Sequence, residues 1–316
     1  MATDSLDLSV IVVSYNTREL LEGCLRSVFS ETTSVRLEVV VVDNASSDGS
    51  ADMVATEFAE VALIRSDNND GFARACNRGV AASHAPWIVL LNPDTEVHDR
   101  ALERLLDFGR AHPRAGLTGG RTLRPDGTVD PGSCWGDITL WSLTCFAFGL
   151  STALRHSEAF DPESLGRWER DSVRAVDIIT GCLLAASRET WDRLGGFDER
   201  FFMYAEDADL AMRARAAGFR PAITPDATIT HVLAAASGSG ARSRAMVLRG
   251  KTTLLAKHWS PARARAGVAL LVIGAGLRSL GARLVGRTSS PWPDVWNARA
   301  TWRRGWPPVP DTPQRS

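Results

Sequence analysis

The strongest constraint on the fold is an alternation in the first hundred residues. Short, unbroken apolar runs rich in β-branched residues recur: LSVIVVS (Leu8–Ser14), LEVVVVD (Leu37–Asp43), VALIRS (Val61–Ser66) and WIVLLN (Trp87–Asn92). A strand that is apolar on both faces must be buried on both, which is the mark of a parallel sheet covered by helices. Between the runs the spacing turns helical. Leu20, Leu21, Cys24, Leu25, Val28 and Phe29 form one stripe, with Asn16 and Glu19 reading as a capping box. Further helices are expected near Ala51–Phe58, Gly71–Ser83 and His98–His112. The fold class is therefore α/β, a Rossmann-like, mostly parallel sheet flanked by helices. Ligands of such sheets bind beyond the carboxyl ends of the strands. Tyr15 and Asn16 follow the first strand there, Asp43 ends the second, and Asp94 follows the fourth. No GxGxxG follows the first strand, which argues against a dinucleotide oxidoreductase.

Past Gly116 the alternation breaks. RTLRPDGTVD (Arg121–Asp130) reads as a hairpin turning at Pro125–Gly127, and residues 133–171 as an irregular, aromatic-rich loop over the site. AVDIITGCLLAAS (Ala175–Ser187) is a buried strand interrupted at Gly181, followed by a short helix at Arg188–Leu194. GGFDERFFMYAEDADLAMRARAAG (Gly195–Gly218) runs from a turn into a helix, and FRPAIT and ATITHV read as two late strands. No internal repeat is visible.

The chain of 316 residues, with 36 basic and 37 acidic side chains and a net charge of −1, lacks the basic footprint of a nucleic-acid binder. Cys24, Cys76, Cys134, Cys145 and Cys182 are scattered with no CxxC, so reduced thiols in a cytoplasmic protein are expected. The start, MATDSLDLSV, lacks the basic and apolar regions of a signal peptide. The longest apolar stretch, Ala266–Leu277, is too short to span a bilayer. Pro261–Arg287, with arginines at both ends, reads as a helix lying in the membrane interface. A core helix and a homodimer interface are the alternatives. The Pro-rich tail Ser289–Ser316 carries Trp292, Trp296, Trp302 and Trp306, to anchor at that interface or dock on the main domain.

Two acidic centres carry chemistry. Asn92-Pro93-Asp94 ends a buried strand, where a carboxylate can hold a divalent cation against phosphate oxygens; a turn cap is the bland reading. Glu206, Asp207 and Asp209 put three carboxylates in four residues. A helix N-terminus partly excuses them, and Asp209 with Arg213 reads as an ordinary i, i+4 surface pair. The first two follow the aromatic run FFMY and are less easily excused.

In order along Leu8–His258, VVSYN, VVDNASSDGS, NDGFARACNRG, LLNPDT, GGFDERFFMYAEDADLAMRARAAG and a late His231 resemble the family-two inverting glycosyltransferases of the GT-A fold. LLNPDT with the GGFDE-FFMY-EDADL stretch is similar to the bacterial rhamnosyltransferases. The resemblance implies a catalytic domain over 1–258, with a nucleotide-binding half to 115 and an acceptor half from 116, then a helical extension over 259–316. It implies Tyr15, Asn16 and Asp43 at the nucleotide, Arg74 and Asn77 near the base or diphosphate, and Asn92 in the first place of the metal motif. Asp94 would hold Mg2+ or Mn2+ with His231 nearby, Asp207 would be the base, and Glu206 would stand beside it. With Asn92 replacing a carboxylate, metal affinity is expected to rest partly on substrate phosphates. Alanines follow His231 where the family often has Gly. The implied reaction moves a sugar, in first place L-rhamnose from dTDP-L-rhamnose, to a saccharide or polyprenyl-diphosphate-linked acceptor. Other donors, UDP-galactofuranose or GDP-mannose, keep the fold. A non-catalytic nucleotide-sugar-binding protein would not need Asp43, Asp94 and Asp207 together.

Overall fold

The computed structural model describes residues 5–232 and 240–308. Strands β1 (Leu8–Ser14), β2 (Leu37–Asp43), β3 (Ala62–Arg65) and β4 (Trp87–Leu91) run parallel in the order β3-β2-β1-β4. Helices α1 (Arg18–Glu31), α2 (Ser50–Glu57) and α3 (Phe72–Ala81) make the crossovers. The unbroken apolar runs follow from two cores. Leu8, Val10 and Val12 pack with Leu21, Leu25 and Leu105 on one face of the sheet, while Ile11 and Val13 pack with Ala73, Cys76 and Val80 on the other.

The sheet continues through β5 (Thr95–Val97), β6 (Leu117–Leu123), β10 (Leu183–Ser187) and β11 (Ala222–His231), in the order β4-β10-β6-β11-β5. Helix α4 (Ala101–Ala111) covers this half. β10 is antiparallel to both neighbours, and β11 is parallel to β6 but antiparallel to β5. The two-residue strands β7 (Cys134–Trp135) and β9 (Ile178–Ile179) pair with each other, and β8 (Arg174–Ala175) pairs with β11. Helix α7 (Arg188–Leu194) leads to α8 (Glu206–Ala216), and α9 (Ala241–His258), α10 (Pro261–Leu284), α11 (Trp292–Asn297) and α12 (Arg299–Trp302) close the chain.

The structure corrects several expectations. Asn16 does not cap α1; Thr17 stands at that position, and Asn16, at φ 54°, instead accepts from the Ser47 amide at 2.8 Å. The late strands are one strand, β11, with a register shift between Ile223 and Thr228. The turn after Leu123 forms, but its return limb makes only a bridge to Val129, because β6 is claimed on both sides by longer strands. Residues 133–171 are not an irregular loop. They contain α5 (Leu140–Ala147), which opens with a Thr139–Ser142 capping box, and α6 (Leu150–Ala153). Leu143 and Cys145 of α5 are fully buried.

α10 is one continuous helix of 24 residues, long and apolar enough by length and composition to cross a membrane. One side of it packs on α5, α9 and α11, with Leu271 and Ala275 buried, and Arg278 donating to the Phe146 carbonyl at 2.6 Å. The other side is bare: Ile273, Leu277, Leu280 and Leu284 form an exposed stripe at helical spacing. Of the tail, Trp302 is buried and Trp306 lies 5.6 Å from the Phe202 ring. The stretch beyond Pro308, and the alanines after Val232, lie outside the described residues.

Candidate active site

A cavity of about 640 Å³ opens at the carboxyl ends of the strands. Its lining holds Tyr15, Asn92, Asp94, Glu206, Asp207 and His231, six residues singled out by sequence. Tyr15 is 44% exposed at its mouth.

One side is built by the turn after β4. Thr95 Oγ1 donates to the Asn92 carbonyl at 2.7 Å, and the Asn92 amide donates to the Cys182 carbonyl at 3.1 Å. Antiparallel pairing of β5 with β11 sets His231 opposite Thr95, so the strand end delivers the imidazole to the same corner. His231 Nε2 lies 3.2 Å from Asp94 Oδ1 and 3.4 Å from Asn92 Nδ2. Asp94 is only 5% exposed, and its Oδ1 makes no hydrogen bond. A buried carboxylate oxygen without a donor is costly unless something positive meets it. Oxygen and imidazole donors of this kind would suit a hard or borderline divalent cation. Among the described residues no group of three or more His, Cys, Asp or Glu side chains is placed to hold a metal ion.

The facing side is the start of α8. Tyr204 and Ala205 have φ of 67° and 72°, in the left-handed region that non-glycine residues rarely occupy. The strained turn is clamped from two sides. Gly71 lies against Phe202, whose carbonyl accepts from the Phe72 amide at 2.7 Å, and Gly250 of α9 lies against the Tyr204 carbonyl. A Cβ at either glycine would overlap those carbonyl oxygens. The clamp fixes the direction in which the next two residues leave. Asp207 is half-buried and accepts from the Ala208 amide at 2.7 Å and the Gly181 amide at 3.2 Å. Burial raises its carboxyl above the usual range despite those donors. Glu206 is buried with Oε2 unpartnered, and burial, then the neighbouring Asp207, push its carboxyl well above the ordinary value. The pair therefore favours one shared negative charge over two.

Asp209 is not a surface residue. It is fully buried and accepts from Arg213 Nε at 2.8 Å, His258 Nε2 at 2.7 Å and Lys257 Nζ at 2.7 Å. Residue spacing could show the Arg213 partner, but not the two that arrive from α9.

Asp43, at the end of β2, is buried and is not among the residues lining the cavity, though its neighbour Asn44 is; its Oδ2 accepts from the Ser46 amide at 3.0 Å and its Oδ1 has no partner. Arg74 and Asn77 are not brought to the cavity. Arg74 pairs with Glu199 at 3.1 Å, and Asn77 is used twice by Phe197, donating to its carbonyl at 2.9 Å and accepting from its amide at 3.0 Å. In the structure both side chains brace α3 against the loop before α8. The cavity also gains residues that the sequence reading gave no role, among them Trp135, Glu163 and Lys251. The five cysteines are buried and free; burial pushes the Cys182 thiol, at the cavity wall, up to about 11.

The comparisons with known proteins agree with this architecture. A family model described as glycosyl transferase family 2 matches residues 9–160. The N-acetylglucosaminyl-diphospho-decaprenol L-rhamnosyltransferase of Mycobacterium tuberculosis is 32% identical over 245 residues, covering 73% of this chain and 78% of that protein. The O-antigen biosynthesis protein RfbC of Myxococcus xanthus is 26% identical over 227 residues, 71% of this chain but 17% of its own length. Among solved structures, the mannosyltransferase PcManGT of Pyrobaculum calidifontis, in complex with GDP-Man and Mn2+, superposes with a TM-score of 0.55 at 21% identity, over 95% of this chain and 86% of that one. GalNAc-T7 with UDP, GalNAc and Mn2+ superposes with a TM-score of 0.59 at 14% identity, over 96% and 54%. At those identities the structures establish the GT-A fold, and the mycobacterial relative establishes kinship: the chain belongs to glycosyltransferase family 2 and is a hexosyltransferase.

Proposed function

We propose that the protein transfers L-rhamnose from dTDP-L-rhamnose to a saccharide carried on a polyprenyl diphosphate, with inversion at the anomeric carbon. The observation that carries the reading is one cavity with two chemically distinct sides, Asp94–His231 facing the Glu206–Asp207 turn. The mycobacterial relative's name supplies the transferred sugar, L-rhamnose, and the acceptor class. Asp43 Oδ1, buried and unpartnered, suits the imide N–H of a pyrimidine, with Tyr15 and Asn16 at the same strand ends. Asp94 and His231, with Asn92 beside them, would hold Mg2+ or Mn2+. A divalent cation there supplies Lewis-acid stabilisation of the departing diphosphate. Asp207 accepts the proton of the acceptor hydroxyl as that oxygen attacks, and the Gly181 and Ala208 amides keep its carboxylate aimed. Glu206 lies beside it toward the acceptor. Single displacement needs no covalent enzyme intermediate, and a β-linked donor gives an α-linked product.

The test is a panel of nucleotide sugars incubated with protein, a divalent cation and a diphosphate-linked N-acetylglucosamine acceptor. Turnover is expected with dTDP-L-rhamnose; turnover confined to UDP-galactofuranose or GDP-mannose would replace the donor. For the cation, calorimetry should show nucleotide binding strengthened by Mn2+ in the wild type. In Asp94→Ala that gain should fall by about tenfold or more, with metal-free affinity unchanged. Equal wild-type affinity with and without Mn2+ would remove Asp94 from the metal role.

The bare side of α10 fits an anionic lipid surface on the cytoplasmic face of a membrane. Its apolar stripe is flanked by exposed Arg263, Arg265, Arg283 and Arg287, and the helix carries no Asp or Glu. Each buried CH₂ contributes about 0.8 kcal/mol, enough for reversible attachment. The protein should float with phosphatidylglycerol vesicles, and Leu277→Glu with Leu280→Glu should abolish flotation without unfolding. A lipid-indifferent protein that forms dimers sensitive to the same substitutions would assign the face to a second copy.

A further inference from the structure

Of the 36 basic residues only two are lysines, Lys251 and Lys257, and both lie on α9. Lys257 is spent on buried Asp209 and on Asp198, at 2.7 and 2.6 Å. Lys251 lines the cavity, and among the described lining residues it is the sole Lys or Arg, set among Asp94, Asp130, Glu163, Glu206 and Asp207. It sits next to Gly250, the residue that packs on the turn presenting Asp207. One turn earlier Val247 faces the same cavity, and Trp135 and Ile138 add further apolar surface.

Resting on the acceptor class proposed above, we propose that Lys251 is the anchor for the acceptor's diphosphate, with Val247, Trp135 and Ile138 receiving the first carbons of its lipid. The geometry has what such a ligand asks for. The attacking sugar must reach Asp207, so its anionic leash has to lie beside α8, where Lys251 stands. An ammonium is a compact point charge on a flexible stem, suited to exchanging one anion for another. In the absence of acceptor that anion is Glu163, whose carboxylate lies 2.7 Å from Lys251 Nζ across the cavity wall. Glu163 is therefore a competitor that the diphosphate displaces, and its own segment, residues 162–164, is the part that would move.

The probe is farnesyl diphosphate, titrated calorimetrically into the full-length protein with dTDP and Mg2+ saturating the donor side. The wild type should bind it, farnesol should not bind, and inorganic pyrophosphate should bind more weakly. Lys251→Gln should weaken farnesyl diphosphate by about tenfold or more, Lys251→Arg by less, and Glu163→Gln should tighten it several-fold. The opposite signs at 251 and 163 are decisive. A mere structural strap would make Glu163→Gln and Lys251→Gln fail alike, and that result overturns the proposal. If Lys251→Gln does not fold, Lys251→Arg and Glu163→Gln still carry the contrast. Pyrophosphate binding as tight as farnesyl diphosphate overturns the lipid assignment. Rhamnose transfer to an octyl N-acetylglucosaminide by a protein that ignores farnesyl diphosphate sinks this proposal but spares the donor; binding without any dTDP-L-rhamnose turnover does the reverse.

Discussion

Replacing Asp207 by Asn is expected to lower turnover by about 10²–10⁴-fold, the usual cost of a lost general base, with donor affinity nearly unchanged. The amide is close to isosteric, so the Gly181 and Ala208 contacts at the start of α8 can persist while the proton acceptor is gone. The pH profile gives the signature. Burial raises the Asp207 carboxyl, so the acid limb of kcat/KM should lie above the ordinary Asp range of about 4 and fall as pH drops through it. That limb should vanish in Asp207→Asn. Glu206→Gln, one residue earlier, should raise the acceptor KM more than it lowers kcat. A fully active Asp207→Asn enzyme would hand the base to Glu206.

Asp209→Ala is expected to cost about 3–5 kcal/mol in stability, because Lys257, Arg213 and His258 lose a buried common acceptor. In a chain of this size that is a melting-temperature drop on the order of 10 °C. The pH dependence has a definite sign. Burial alone would raise the Asp209 carboxyl, but hydrogen bonds from His258 and Lys257, with the Arg213 charge, hold it at about 2. A folded-state value below the unfolded one adds stability above about pH 4 and loses it as pH falls toward 2. The gap corresponds to roughly 2–3 kcal/mol. Urea denaturation from pH 6 down to pH 2 should show that loss in the wild type and a flatter curve in Asp209→Asn. Equal slopes would mean the cluster is held by packing alone.

The first half of the fold was legible because its signal is local. Val10–Val13 and Val39–Val42 are apolar at consecutive positions, a strand between two helical layers tolerates that, and the strands form as Leu8–Ser14 and Leu37–Asp43. The same rule put Tyr15 and Asp94 at one cavity, since parallel strands end together. Where several partners compete, local pattern was not enough. The strand order β4-β10-β6-β11-β5 depends on which edges are free, so β11 was misread as two strands and the Leu123 turn as a full hairpin. Residues 133–171 look irregular because their helix is stabilised by burial against α10, over a hundred residues away. Asp209 carries the same lesson: its spacing to Arg213 is that of a surface pair, but Lys257 and His258 meet it only once α9 has packed. Local pattern is enough to specify the sheet, its ligand-binding edge and the carboxylates near it. Which of those charges are buried, which are paired and which face the cavity follows from packing between distant segments. Burial and pairing depend on neighbours distant in the chain, and it is their desolvation and charge, not residue type, that set what a carboxylate can do.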